Sequence, residues 1–224
     1  MNPYIAVGIP HKQEVTVKWV ERMLLPLHQF NPQMRKTLIF NGNYPIDLAR
    51  NQIAEGILSE PSFTHLLFVD SDNITTSPPD VNEAISRLLK HDIPIVCGLY
   101  RLKTPNYPFS IAFSPYAAND RLFEITGCGM GFCLIKREVF EKVPRPWFEY
   151  KDDGVELVGE DVYFCEKARA SGYKVFADPT ILLSHIGTFA LNFNGTFDYI
   201  VRHGAKAQQP QDVSVVKLTK DGFQ

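Results

Sequence analysis

The sequence predicts an α/β fold: a mostly parallel central sheet flanked by helices, with a smaller β-rich portion in the second half of the chain. Three observations point there. Short apolar, β-rich runs alternate with longer segments of helical periodicity over the first hundred residues, the pattern of strands joined by crossover helices. Turn-forming residues punctuate these runs at Pro10, Asn31-Pro32 and Asn41-Gly42-Asn43. At 224 residues, 45% hydrophobic and 21% charged, the chain can bury a full core.

A first strand is expected over 4–9, stopped by Pro10, and a helix over about 14–28 ends near Asn31-Pro32. A second strand spans 37–40. From 45 to about 59, Ile46, Ala49, Ile53, Ala54 and Ile57 recur at helical spacing. The apolar run 66–69 is a third strand and delivers Asp70. Ser77-Pro78-Pro79-Asp80 opens a helix running to about His91, with proline in the first turn, where its missing N–H costs little. A fourth strand covers 93–98.

Residues 107–124 read as β-rich, with turns at Ser114-Pro115 and Asn119-Asp120, and lead to the glycine cluster Gly127-Cys128-Gly129-Met130-Gly131. A strand over 132–135, a short helix over about 137–142, a loop over 144–157 and a helix over 160–171 follow. Gly172 stops that helix, and closing strands are expected at 174–177 and 181–185. One domain is therefore expected over 1–190, changing character near residue 100, with 191–224 as an extension. Residues 205–212 are mostly polar and read as a mobile tail.

Asp70-Ser71-Asp72 closes the third strand. Side chains at i and i+2 of an extended segment project the same way, and two hard anionic donors on one rim suit Mg²⁺ or Mn²⁺. In open α/β sheets ligands bind outside the carboxyl ends of the strands. Pro10, Asn41 and Asp70 all lie at such ends and should share one crevice.

A formal net charge of −2 gives no basic field for a polyanion, so no nucleic-acid partner is expected. No apolar stretch reaches the ~18 residues of a transmembrane helix, and Met1-Asn2-Pro3-Tyr4 lacks the pattern of a signal peptide. The chain is expected to be soluble and cytoplasmic. Cys97, Cys128, Cys133 and Cys165 form no CxxC pair and read as buried reduced thiols. Without a secretory signal, the triplets Asn73-Ile74-Thr75 and Asn194-Gly195-Thr196 read as coincidences rather than glycosylation sites.

Set in order, Pro10, Ala49-Arg50-Asn51, Asp70-x-Asp72, the glycine cluster, Gly159-Glu160-Asp161 and His185 resemble the GT-A nucleotide-sugar glycosyltransferases in their small single-domain, family-2-like form. The resemblance spans residues 4 to 187 and implies a GT-A (Rossmann-like) catalytic domain, with a nucleotide-sugar-binding half over about 1–100 and an acceptor-binding half over about 101–190. It implies Asp72 as a metal ligand, Asp70 and Ser71 at the metal or the nucleotide ribose, and His185 as a further metal ligand. Pro10 would begin the loop that cradles the base, and Arg50 would point to the nucleotide or diphosphate. Gly129, Met130 and Gly131 would line the donor sugar, and Glu160-Asp161 would hold the acceptor hydroxyl, with Asp161 as general base. Mn²⁺ or Mg²⁺, a UDP- or GDP-sugar donor and a glycan or other hydroxyl acceptor are the implied partners.

Each residue also has a plainer reading. His185 could be satisfied at its strand end, Arg50 could lie on the solvent face of its helix, and Glu160-Asp161 could be first-turn acids favoured by the helix dipole. The glycine cluster is no dinucleotide fingerprint; its glycines permit close backbone approach. Trp147, Phe148 and Tyr150, beside Asp152-Asp153-Gly154, read as an acceptor lid, although burial is the ordinary fate of such rings. An Asp161 base predicts inversion, while related retaining enzymes carry an acid and a histidine in the same region. A sugar nucleotidyltransferase is a second reading, against which Gly8-Ile9-Pro10-His11-Lys12 makes a poor phosphate loop; a non-catalytic carbohydrate- or nucleotide-binding module is a third.

Overall fold

A computed structural model describes residues 2–11, 14–42, 45–76, 79–103, 108–112, 122–152, 154, 157–191 and 197–200. The chain runs β1 (Tyr4–His11), α1 (Val17–Trp19), a π-helical turn (Val20–Leu24), α2 (Leu25–His28), β2 (Arg35–Gly42), α3 (Ile46–Ser59), β3 (His65–Val69), β4 (Asn73–Thr75), α4 (Val81–Lys90) and β5 (Ile95–Leu99). It continues through β6 (Ile111–Ala112), β7 (Phe123–Ile125), β8 (Gly127–Cys128), β9 (Phe132–Lys136), α5 (Arg137–Lys142), β10 (Lys151–Asp152), β11 (Leu157–Val158), α6 (Glu160–Ala170), β12 (Val175–His185), β13 (Thr188–Leu191) and β14 (Phe197–Ile200).

The main sheet has the order β2-β1-β3-β9-β5-β12-β4, with β7 also paired to β12. β1 is parallel to β2 and β3, and β5 to β12; β9 enters antiparallel between β3 and β5. Three two-stranded sheets, β10-β11, β13-β14 and β6-β8, stand apart from it. The mixed α/β layering expected from the sequence is what the chain adopts.

Strand alternation divides the core between the two faces of the sheet. Leu66 and Phe68 of β3, Cys133 and Ile135 of β9 and Ala6 of β1 pack under α3, α5 and α6 with Ile53, Ile57, Phe140 and Phe164. Leu67, Val69, Leu134, Ile5 and Val7 face the other way, onto Trp19, Met23, Val81, Ile85 and Leu88. Helix α3 lies so close to β1 that a Cβ on Gly8 would meet Ile53 Cγ2 at 2.5 Å.

Several boundaries differ from expectation. Pro10 lies inside β1 instead of stopping it: β1 pairs with β3 only to Gly8 but with β2 to His11, so the missing donor falls beyond the doubly paired stretch. The first helix opens at Thr16, whose hydroxyl accepts from Trp19 N–H at 3.2 Å, and is broken by the π turn before Pro26, which cannot donate. Asp80 caps α4 through Glu83 N–H at 2.9 Å. The two closing strands merge into β12, with a register shift between Ala177 and Leu182.

The acceptor-lid expectation is corrected in part. Trp147 and Phe148 are each 1% exposed and belong to the core, where Phe148 stacks on Phe164 at 4.7 Å; Tyr150, by contrast, is 46% exposed. Asn51 pins the segment by accepting from the Trp147 and Phe148 N–H groups at 3.0 and 3.1 Å and donating to Phe148 O at 2.6 Å. All four cysteines are free and buried. Among the described residues no helix is long and apolar enough to cross a membrane. The expectations for Lys12, Asn43, Ser77-Pro78, Tyr107, Ser114-Pro115, Asn119-Asp120, Asp153, Asn194-Gly195-Thr196 and 205–212 lie outside the described residues.

Candidate active site

Three connections converge at the carboxyl end of β3. Asp70 N–H donates to Gly131 O at 3.1 Å, which sets the glycine turn before β9 against the first aspartate. β4 follows Asp72 directly, and its antiparallel register with β12 places Asn73 opposite His185. Ile186 N–H then closes on Asp72 O at 2.7 Å. On the other side, α6 starts at Glu160 after Gly159, and its first turn brings Glu160 and Asp161 toward Arg50 and Asp70.

Arg50 is the hub of that side. It is 3% exposed, which removes the solvent-face reading. Its Nη1 donates to Glu160 Oε1 at 2.6 Å, and its Nη2 reaches Asp70 Oδ1 and Oδ2 at 3.0 and 3.2 Å. One guanidinium therefore ties α3, the end of β3 and the start of α6 together, with both terminal nitrogens committed to carboxylates. Burial would lower its pKa, and Asp70, Glu160 and Asp161 more than reverse that. Burial pushes Asp70 and Glu160 up, while Arg50 pulls both back.

Asp72 faces a different set of groups. Its Oδ2 lies 2.6 Å from Lys103 Nζ and 3.4 Å from His185 Nε2. Desolvation raises the carboxyl, but His185 and Lys103 outweigh it and hold the pKa down at about 2. His185 Nδ1 donates to Arg101 O at 2.9 Å, which fixes the ring so that Nε2 faces Asp72. The histidine ring stands edge-on to Tyr100, centroids 5.3 Å apart at 81°. A cavity of about 470 Å³ opens beside it, lined among others by Tyr100, Arg101, Lys103 and Ser184.

The glycines of the turn answer to protein neighbours. A Cβ on Gly129 would lie 2.1 Å from Tyr100 Oη, and one on Gly131 would lie 2.0 Å from Asn73 Nδ2 and 2.8 Å from the Tyr100 ring. The close approach expected there is made by Tyr100 and Asn73. Met130 is fully buried, so its side chain belongs to the core. Ser71 sits half-buried in the turn between β3 and β4, and Pro10 is buried opposite Asn41. Asp161 Oδ1 accepts from Val162 N–H at 2.8 Å. Asn73, from the first sequon, is 0% exposed, and neither polar atom of its side-chain amide has a partner among the described residues.

Lys103 and Tyr100 were not singled out from sequence, and Asn73 was read there only as part of a coincidental sequon. Tyr100 and Lys103 follow the carboxyl end of a predicted strand, and the strand-end rule applied to 93–98 would have found them.

The residues present fit a divalent cation. Two ligands about 2.1 Å from one ion and at right angles to each other stand about 3 Å apart, close to the 3.4 Å between Asp72 Oδ2 and His185 Nε2. Asp70, Asp72, Glu160 and Asp161 outnumber Arg50 and Lys103 around this crevice, a setting that attracts a cation. No group of three or more His, Cys, Asp or Glu side chains gathers to hold a metal among the described residues, so substrate oxygens and water would complete the shell, as is usual for Mg²⁺.

No protein-family model and no curated protein matches the chain. Solved structures do. A197 from STIV superposes with a TM-score of 0.62 at 21% identity, covering 93% of this chain and all of that one. GalNAc-T7, in its structure with UDP, GalNAc and Mn²⁺, superposes with a TM-score of 0.51 at 13% identity over 82% of this chain and 43% of that one. The fold is that of the GT-A glycosyltransferases.

Proposed function

We propose that this chain is a metal-dependent glycosyltransferase that moves a sugar from a UDP- or GDP-sugar to a hydroxyl acceptor of the glycan class. The observation that carries the reading is the Asp72–His185 pair, 3.4 Å apart at the strand ends, with the histidine oriented through Nδ1. The GalNAc-T7 neighbour, whose structure holds UDP, GalNAc and Mn²⁺, supports the choice of ligand class.

Asp72 and His185 would hold Mn²⁺ or Mg²⁺, with Asp70 behind them and fixed by Arg50. When bound, such an ion supplies charge neutralisation for the nucleoside diphosphate that leaves. Ser71 and the turn over Gly129 and Gly131 would border the donor, while Pro10 and the residues after it would face the base. Asp161 would accept the proton of the acceptor hydroxyl as it attacks an oxocarbenium-like carbon. One carboxylate acting directly on the acceptor gives inversion at that carbon. Glu160, bound to Arg50 at 2.6 Å, would fix the first turn of α6 and so the position of Asp161.

The test is Asp72→Ala. Titration calorimetry with UDP or GDP and Mn²⁺ should show metal-dependent binding to the wild type and none to the variant, with an unchanged melting temperature. Donor turnover that survives the substitution intact rejects the proposal.

A further inference from the structure

We propose that Lys103 is a resident counter-cation: it occupies Asp72 in the nucleotide-free protein and passes to the diphosphate on binding, so that metal and nucleotide bind as a coupled pair. The inference rests on the reading of Asp72 and His185 as a site for a divalent ion and a nucleoside diphosphate.

The contested atom is a single oxygen. Asp72 Oδ2 takes Lys103 Nζ at 2.6 Å, and the same oxygen faces His185 Nε2 at 3.4 Å. An ion held between Asp72 and His185 needs that oxygen and repels the ammonium already there, so the lysine must leave. Its backbone neighbourhood is anchored, with Leu102 N–H on Pro108 O at 2.8 Å and Ser110 N–H on Tyr100 O at 2.9 Å. The four-carbon stem, by contrast, is a flexible arm carrying a compact charge. Arg50 offers no such freedom, because it is buried between Glu160 and Asp70. Lys103 is thus a cation of this crevice that can change partners.

The thermodynamic consequence is reciprocal. Metal alone must break the Lys103–Asp72 pair and leave an ammonium beside a dication, whereas metal with a diphosphate gives that ammonium a new partner. Each ligand then raises the affinity of the other by one common factor.

The experiment is a Mn²⁺ titration followed by the paramagnetic resonance signal of the free ion, with and without UDP or GDP. Wild type, Lys103→Met and Lys103→Arg are compared at matched melting temperatures. Without nucleotide, Lys103→Met should bind Mn²⁺ about fivefold more tightly than wild type, the scale of a partly exposed ion pair. The enhancement by nucleotide should shrink by at least that factor. Lys103→Arg should stay near wild type. If Lys103→Met binds Mn²⁺ alone no more tightly, while nucleotide still enhances binding in both proteins, the role of Lys103 is overturned and the metal site stands. If no variant binds Mn²⁺ even with UDP or GDP, the functional reading beneath it fails instead.

Discussion

Replacing Arg50 with methionine removes a cation from between two carboxylates without opening a large cavity. In the wild type its nitrogens lie 2.6 Å from Glu160 and 3.0 Å from Asp70, with side-chain exposures of 4% for Arg50, 8% for Glu160 and 24% for Asp70. Breaking a buried pair by deleting one partner costs about 3–5 kcal/mol, and the partial exposure of Asp70 points to the lower end, about 3 kcal/mol. For a chain of this size that lowers Tm by about 6–12 °C. The loss should also depend on pH. Burial already raises both carboxyls and Arg50 restrains them, so without Arg50 their folded pKa values climb further above the unfolded ones. The penalty is then full at pH 7 and is relieved as falling pH protonates both groups toward the ordinary carboxylate range near 4. Urea unfolding of wild type and variant at pH 7.5 and 4.5 measures both effects. An unchanged midpoint, or an equal loss at the two pH values, refutes the buried-hub argument.

Other outcomes follow from the same geometry. Gly131→Ala places a methyl group 2.0 Å from Asn73 Nδ2 and 2.8 Å from the Tyr100 ring, an overpacking that should cost about 1–3 kcal/mol in chemical denaturation. Burial, helped by Lys136, lowers the His65 pKa to about 4. The unfolded chain therefore binds more protons between pH 6.5 and 4, and stability, full above that window, should fall by up to about 3 kcal/mol across it; His65→Gln should flatten this part of the profile. Phe148→Ala removes a core ring stacked on Phe164 and should cost about 3–5 kcal/mol, whereas Tyr150→Ala, at an exposed position, should leave the urea midpoint nearly unchanged.

Much of the architecture was legible because burial imposes periods. The runs that became β1, β3, β5 and β9 are apolar on both faces, as strands covered by helices on two sides must be, and the spacing of Ile46, Ala49, Ile53 and Ile57 marked α3. What escaped depends on pairing instead of pattern. β4 is only Asn73–Thr75 and exists because β12 runs alongside it; the β13–β14 hairpin likewise lies beyond the last strand expected from sequence, at 181–185. In the crevice, the acids and His185 stand out by type and order, but a lone lysine carries no spacing signal, and Lys103 emerges only from its 2.6 Å contact. Arg50 was visible, yet nothing in a helix sequence tells whether an arginine points outward or is enclosed by carboxylates from two other elements.

The β4–β12 register has one more implication. Asp72 is synthesised early and His185 near the close of the described chain, and the two come side by side once β12 pairs with β4 and Ile186 N–H closes on Asp72 O. A nascent or truncated product that stops before β12 can form β1 to β3 and still own just half of the Asp72–His185 couple. On the proposed reading, cation affinity would report completed assembly, and a screen for stabilised variants could use it as a measure of correctly finished protein without following turnover at all.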